Sequence, residues 1–195
     1  MSILSARKRG ALVGVLILTA YAMLAYWITG NRWLGAAADW VAGASVMAIA
    51  LVLRPVFASC TPGLRRAWLA ARLTEGALMG LAGVLLLIPA GVAWHDPVYQ
   101  YVQVWFFILG AWFFYRLLLA SGAVPRLIAL WGAWATLALA GVTIAGLAGY
   151  EAPVLGLLVV PMIANELFLA LWLMVRGIAP PDPTSQPRAP ASRVH

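Results

Sequence analysis

Residues 66–94 read RAWLAARLTEGALMGLAGVLLLIPAGVAW, and the reading of this stretch decides the fold. It exceeds the roughly 20 residues a helix needs to cross a hydrocarbon core, yet it carries Arg72 and Glu75 well inside it. At helical spacing Arg72, Glu75, Gly76, Met79 and Gly83 share one face. Leu73, Leu81, Leu85 and Ile88 fill the opposite arc. A helix that is bulky toward lipid and small and polar on the other side belongs in a membrane bundle, where small residues let neighbouring backbones approach. Gly76 and Gly80 add a small-xxx-small spacing of that kind. Pro89 is expected to kink or end the helix near its outer edge.

Working outward, five further apolar stretches have about the same length: Ala11–Thr29, Ala36–Phe57, Val98–Ser121, Pro125–Gly149 and Pro153–Gly177. Breakers separate them, namely Gly30-Asn31, Thr61-Pro62-Gly63 and a tight turn at His95-Asp96-Pro97. The composition agrees: the 195 residues are 64% hydrophobic and 10% charged, with a mean hydropathy of +0.93. Soluble domains are about half apolar and about a quarter charged.

Alternating crossings put Arg7, Lys8, Arg9, Arg54, Arg65, Arg66, Arg72, Arg116, Arg126, Arg176, Arg188 and Arg193 on one side, leaving Arg32 opposite with Asp39, Asp96 and Glu151. Surplus basic residues mark the cytoplasmic side. The sequence therefore predicts an all-α integral membrane protein of six transmembrane helices with both termini cytoplasmic. Residues 1–178 form the membrane domain, and 179–195, rich in proline, form a disordered cytoplasmic tail. Arg7-Lys8-Arg9 before an apolar run resembles a signal peptide, but more membrane follows, so an uncleaved first helix is expected. The expected location is the bacterial inner membrane, spanned several times.

Ionisable residues within a bilayer cost several kcal/mol unless they find partners, so each marks a structural lock or a functional site. Glu75 lies nine residues past Arg66, about 13 Å from the cytoplasmic end at 1.5 Å per residue. Glu166 precedes Arg176 by ten residues on a helix running the other way, about 15 Å from the same face. Pro161 falls mid-span before Asn165-Glu166 and frees the carbonyl of Leu157, so a kink or polar gap is expected there. Tyr115-Arg116 sits about a turn and a half from the inner end of the fourth helix, where Arg116 can snorkel or supply charge to the carboxylates. The candidate binding set is Arg72, Glu75, Tyr115, Arg116, Asn165 and Glu166. One reading makes it an ion cluster that fixes helix register; the other makes it a site for a proton, ion, small solute or lipid headgroup. At the outer side Asp39, His95 and Asp96 read as solvated loop positions, with an outer vestibule as the alternative. The ten tryptophans include Trp27, Trp33, Trp40 and Trp94 near helix ends, as an interfacial belt requires.

The exclusions are firm. Lys8 is the only lysine, so no helix offers a Schiff-base amine. His95 and His195 are the only histidines, which rules out bis-histidine haem and histidine-rich metal sites. Cys60 is a lone loop cysteine and no intrachain disulfide can form. No HExxH, GxSxG or aspartyl-protease pattern appears, which leans against an enzyme. The net charge of +7 follows from inward-facing basic loops, with no basic helix face for nucleic acid. Expected partners are membrane lipid, a small-molecule ligand, and a second copy or another membrane protein; no cofactor is expected. A structural or regulatory role through helix–helix contacts is the alternative to ligand binding, and a lipid-acting enzyme comes third.

Three stretches carry a family resemblance: Leu53-Arg54-Pro55 leading to Arg72-Leu73-Thr74-Glu75, then Tyr115-Arg116 with Val124-Pro125-Arg126-Leu127-Ile128-Ala129, and Asn165-Glu166-Leu167 running to Val175-Arg176-Gly177. On these the chain resembles the bacterial membrane family known as domain of unknown function 4386, from the first helix to about Gly177. The chain departs in its short first outer loop, and its Ser121-Gly122-Ala123 turn lacks the basic residue often found there. The resemblance implies a six-helix membrane protein with polar positions at Arg72, Glu75, Arg116, Arg126 and Glu166, and it implies no activity.

Overall fold

The structure, a computed structural model, describes residues 5–150 and 152–179. The proline-rich segment from residue 180 onward, expected to be a disordered tail, lies outside the described residues. Six helical spans are long and apolar enough to cross a membrane: Ala6–Thr29, Arg32–Leu53, Pro62–Leu87, Pro89–Ser121, Arg126–Leu147 and Pro153–Arg176. The protein is an all-α, multi-pass membrane protein, and no strand occurs among the described residues. Each span packs on the one before it and the sixth packs back on the first, so the helices form a ring in chain order.

Local chemistry sets the helix ends. Gly30, at φ 65°, closes the first span in the left-handed region that favours glycine. Asn31 then caps the second, its side-chain oxygen accepting from the amides of Trp33 at 3.0 Å and Leu34 at 3.2 Å. Pro62 opens the third span, where its missing amide costs nothing. In the loop between these two spans Cys60 is buried. Burial pushes its thiol up against the pull of Arg65, which makes it a poor nucleophile.

The border between third and fourth spans differs from the sequence expectation. The third ends at Leu87, because Pro89 forces Ile88 into an extended conformation. His95-Asp96-Pro97 is not a turn; it lies within the helical run of the fourth span. Pro97 cannot donate to the preceding turn, and the chain widens into a π-helical stretch over Val98–Gln103 that accommodates the lost bond. The break expected near Pro161 is present, the sixth span being divided between Pro153–Leu157 and Val160–Arg176.

Glycines decide the closest approaches. A methyl group on Gly43 would sit 2.5 Å from the Gly76 carbonyl oxygen, and one on Gly76 would sit 2.6 Å from that of Gly43, so the second and third backbones touch there. Gly83 meets the Ala36 carbonyl in the same way at 2.9 Å. Gly80, the other half of the expected small-residue pair, faces open space. Gly10 against Gly177 and Gly14 against Ala170 seal the first span to the sixth. The end of the sixth is also tied to the turn after the fourth, through the Ala179 amide and the Ala123 carbonyl at 3.0 Å.

The two ends of the ring are packed differently. Toward the arginine-rich end the core is continuous and includes Phe57, Trp68, Phe114, Leu117, Ala129 and Leu173. In the fifth span the buried residues stop at Thr136, and in the sixth they start at Met162. The far halves of these two helices bury no residue in the bundle, and Ile144, Leu147, Val154 and Leu157 are exposed.

Candidate functional site

Within the ring lies a cavity of about 440 Å³ lined by residues from all six spans. Its walls are mainly apolar, and Arg72, Glu75 and Glu166 all reach it, together with Tyr21, Tyr99, Tyr115 and Gln103. Arg72 donates to Glu75 at 2.8 Å across one turn of the third span. Glu75 is only 2% exposed. The guanidinium lies over Phe107 and Phe114 of the fourth span, 5.6 and 6.0 Å from their ring centres. Gly110 makes room for it, since a methyl group there would come within 3.0 Å of the Arg72 Nε. Because both partners belong to one helix, this pair cannot by itself fix the register between helices.

Glu166 is placed differently. It is partly exposed, toward the cavity, and accepts a hydrogen bond from the Tyr21 hydroxyl at 2.9 Å. Tyr21 opens the short 3-10 turn Tyr21–Leu24 that interrupts the first span. A lone tyrosine in an apolar stretch gives no sequence signal of such a contact.

Tyr115 and Asn165 form a third group. The Tyr115 hydroxyl donates to the Asn165 side-chain oxygen at 2.7 Å, and the Asn165 side-chain amide donates to the Ile128 carbonyl at 3.0 Å. Fourth, fifth and sixth spans are thus joined by one satisfied network, and the absence of a side chain at Gly132 admits the Tyr115 ring. Arg116 is not brought to the cluster: it is exposed, with its guanidinium 5.9 Å from the ring of Trp112 on its own helix.

The sequence reading missed a fourth group. Asp39 and His95, expected as solvated loop positions, are completely buried. His95 lies between two carboxylates, with its Nε2 3.1 Å from Asp39 and its Nδ1 2.9 Å from Asp96. The Tyr99 hydroxyl donates to Asp39 at 2.7 Å and the Trp27 indole donates to Asp96 at 2.9 Å. The signal was available in the four-residue spacing of His95 and Tyr99 on one helix face, but a proline between them reads as a turn.

The family model described as domain of unknown function (DUF4386) matches residues 28–177. Neither a curated protein nor a solved structure matches the chain. The chain belongs to the DUF4386 family, and the match spans the second to the sixth helix, including every polar group above except Tyr21 and Trp27.

Proposed function

We propose that the protein binds, and in binding helps to move, a small amphiphilic molecule whose cationic head pairs with Glu166 in the central cavity. The observation that carries this reading is the pairing of Glu166 with a phenol alone: among the described residues its hydrogen bond comes from Tyr21, which brings no charge. Arg72, the nearest cation, is committed to Glu75 at 2.8 Å. A carboxylate in an apolar enclosure needs a balancing charge. A ligand amine supplies it, while the apolar walls take up its alkyl part. The far halves of the fifth and sixth spans, which bury no residue in the bundle, are the lateral way in for a membrane-dissolved molecule. With the arginine-rich end taken as cytoplasmic by the positive-inside rule, and the bacterial plasma membrane as the location, that route opens from the outer leaflet.

The apolar faces at Leu127, Trp134, Leu171 and Val175 are exposed, as lipid contact requires, and they single out no protein partner.

The test is thermal unfolding of the purified protein in detergent with a medium-chain alkylamine, against the matched alcohol and fatty acid. The amine is expected to raise the melting temperature of the wild type and of Glu75→Gln, and to lose that effect in Glu166→Gln. An equal shift in wild type and Glu166→Gln, or none with the amine in either, overturns the proposal.

A further inference from the structure

A file of hydrogen-bonded groups runs from the end of the bundle opposite the arginine-rich one to the wall of the cavity. We infer that Asp96, His95, Asp39 and Tyr99 form a proton relay through which water at that end exchanges protons with the cavity. Its outer terminus is accessible, since the Asp96 side chain is 48% exposed near the start of its span. The next two members are fully buried, and every link is of hydrogen-bond length: 2.9 Å to His95, 3.1 Å on to Asp39, and 2.7 Å from Asp39 to the Tyr99 hydroxyl. Tyr99 itself lines the cavity.

The arrangement is linear. Among the described residues no three His, Cys, Asp or Glu side chains converge as a metal-binding set. The imidazole instead has one nitrogen on each carboxylate, which is what passing a proton through a ring demands. The ring is held by Tyr26 edge-on at 4.8 Å and by Trp27 at 5.1 Å, so it has little freedom except to gain and lose protons. Tyr26 and Trp27 from the first span, Asp39 from the second, and Asp96 and Tyr99 from the fourth are the groups facing it.

The transfer balances as follows. A proton from water binds Asp96 and passes to His95 Nδ1. The imidazolium gives its Nε2 proton to Asp39. As the Tyr99 O–H bond breaks toward an acceptor in the cavity, Asp39 returns its proton to the phenol oxygen. One proton leaves the water, one reaches the cavity, and the imidazole exchanges one tautomer for the other; the reverse sequence returns it. Glu75 and Glu166 both line that cavity; with Glu75 paired to Arg72 and Glu166 hydrogen-bonded by a neutral phenol, the relay is assigned Glu166 as its acceptor.

This proposal stands apart from amine binding and is tested without a ligand. The full chain in lipid nanodiscs is subjected to a rapid acid jump, and the carbonyl infrared band of protonated Glu166, assigned with Glu166→Gln, is followed in time. Tyr99→Phe, which keeps the ring and deletes the hydroxyl, and His95→Gln are each expected to slow the band's appearance by roughly tenfold or more, the scale on which a positioned acid–base group acts. A purely structural role for these four residues would lower stability and leave this rate unchanged. Equal rates in wild type and Tyr99→Phe, or a Glu166 band that does not respond to the jump, overturn the relay.

Discussion

Glu75 and Glu166 lie on different helices of one ring, reach the same cavity and differ in how their partners are supplied. Glu75 takes its partner from its own helix: Arg72 stands one turn away at 2.8 Å, so the pair forms when the helix forms. Packing of the fourth span then removes it from solvent, leaving Glu75 2% exposed. Glu166 takes its partner from another span, through a local tightening of the first helix that brings the Tyr21 hydroxyl to 2.9 Å. A phenol supplies a hydrogen bond and no charge, and in the proposed function the balancing charge for Glu166 is the ligand's. Two carboxylates in one apolar enclosure thus differ in their partners, and the proposed function builds on that difference: Glu75 in structure, Glu166 in exchange.

The largest effect that would break this contrast is on the structural side. Arg72→Leu leaves Glu75 as an unpaired buried charge, and a loss of about 3–5 kcal/mol is expected on that ground. Reversible unfolding in mixed detergent micelles measures it, and Arg72→Leu combined with Glu75→Leu should recover most of the loss. If Arg72→Leu proves as mild as a change at Glu166, the assignment of roles fails. A step down in size is Tyr115→Phe. It removes the donor to Asn165 in a network with no charge, and polar contacts between helices in a membrane are worth about 1 kcal/mol or less. The same unfolding assay should place it well below Arg72→Leu. Smaller again is Glu166→Gln, whose amide oxygen still accepts from Tyr21; its stability should stay within about 1 kcal/mol of the wild type. A drop comparable to that of Arg72→Leu would make Glu166 structural too.

The legibility of these features in the sequence follows the range of the interaction behind each. The six spans rest on composition summed over some twenty residues, and they came through with shifted borders. Arg72 with Glu75 rests on a three-residue spacing in one helix and was readable for the same reason. Tyr21 with Glu166 joins residues 145 positions apart, and no local pattern encodes that. Asp39 with His95 failed for a different reason. Polar residues near span ends ordinarily face water, and Pro97 ordinarily ends a helix. Here a π-helical stretch carries the chain past the proline, so residues read as a turn point inward. Gly83 was legible on the inward face and does meet a backbone, whereas the Gly76–Gly80 spacing half failed, because spacing alone does not say which glycine meets a neighbour; Gly43 and Ala36 across the interface decide it.

Arg116 provides the smallest expected effect and a direct check on where the charge for Glu166 comes from. From the sequence it could have neutralised the second carboxylate, since the long arginine side chain can reach away from its own helix. The structure instead leaves its head exposed over Trp112, a contact worth about 0.5–1 kcal/mol at such a site. Arg116→Gln should therefore cost no more than that. Combined with Glu166→Gln it should give the sum of the two single effects, as sites without shared partners do, within about 0.5 kcal/mol. A larger coupling in this double-mutant cycle would mean that Arg116 reaches Glu166 after all. The charge on Glu166 would then be met from within the protein, and the cavity would have no need of a cationic ligand.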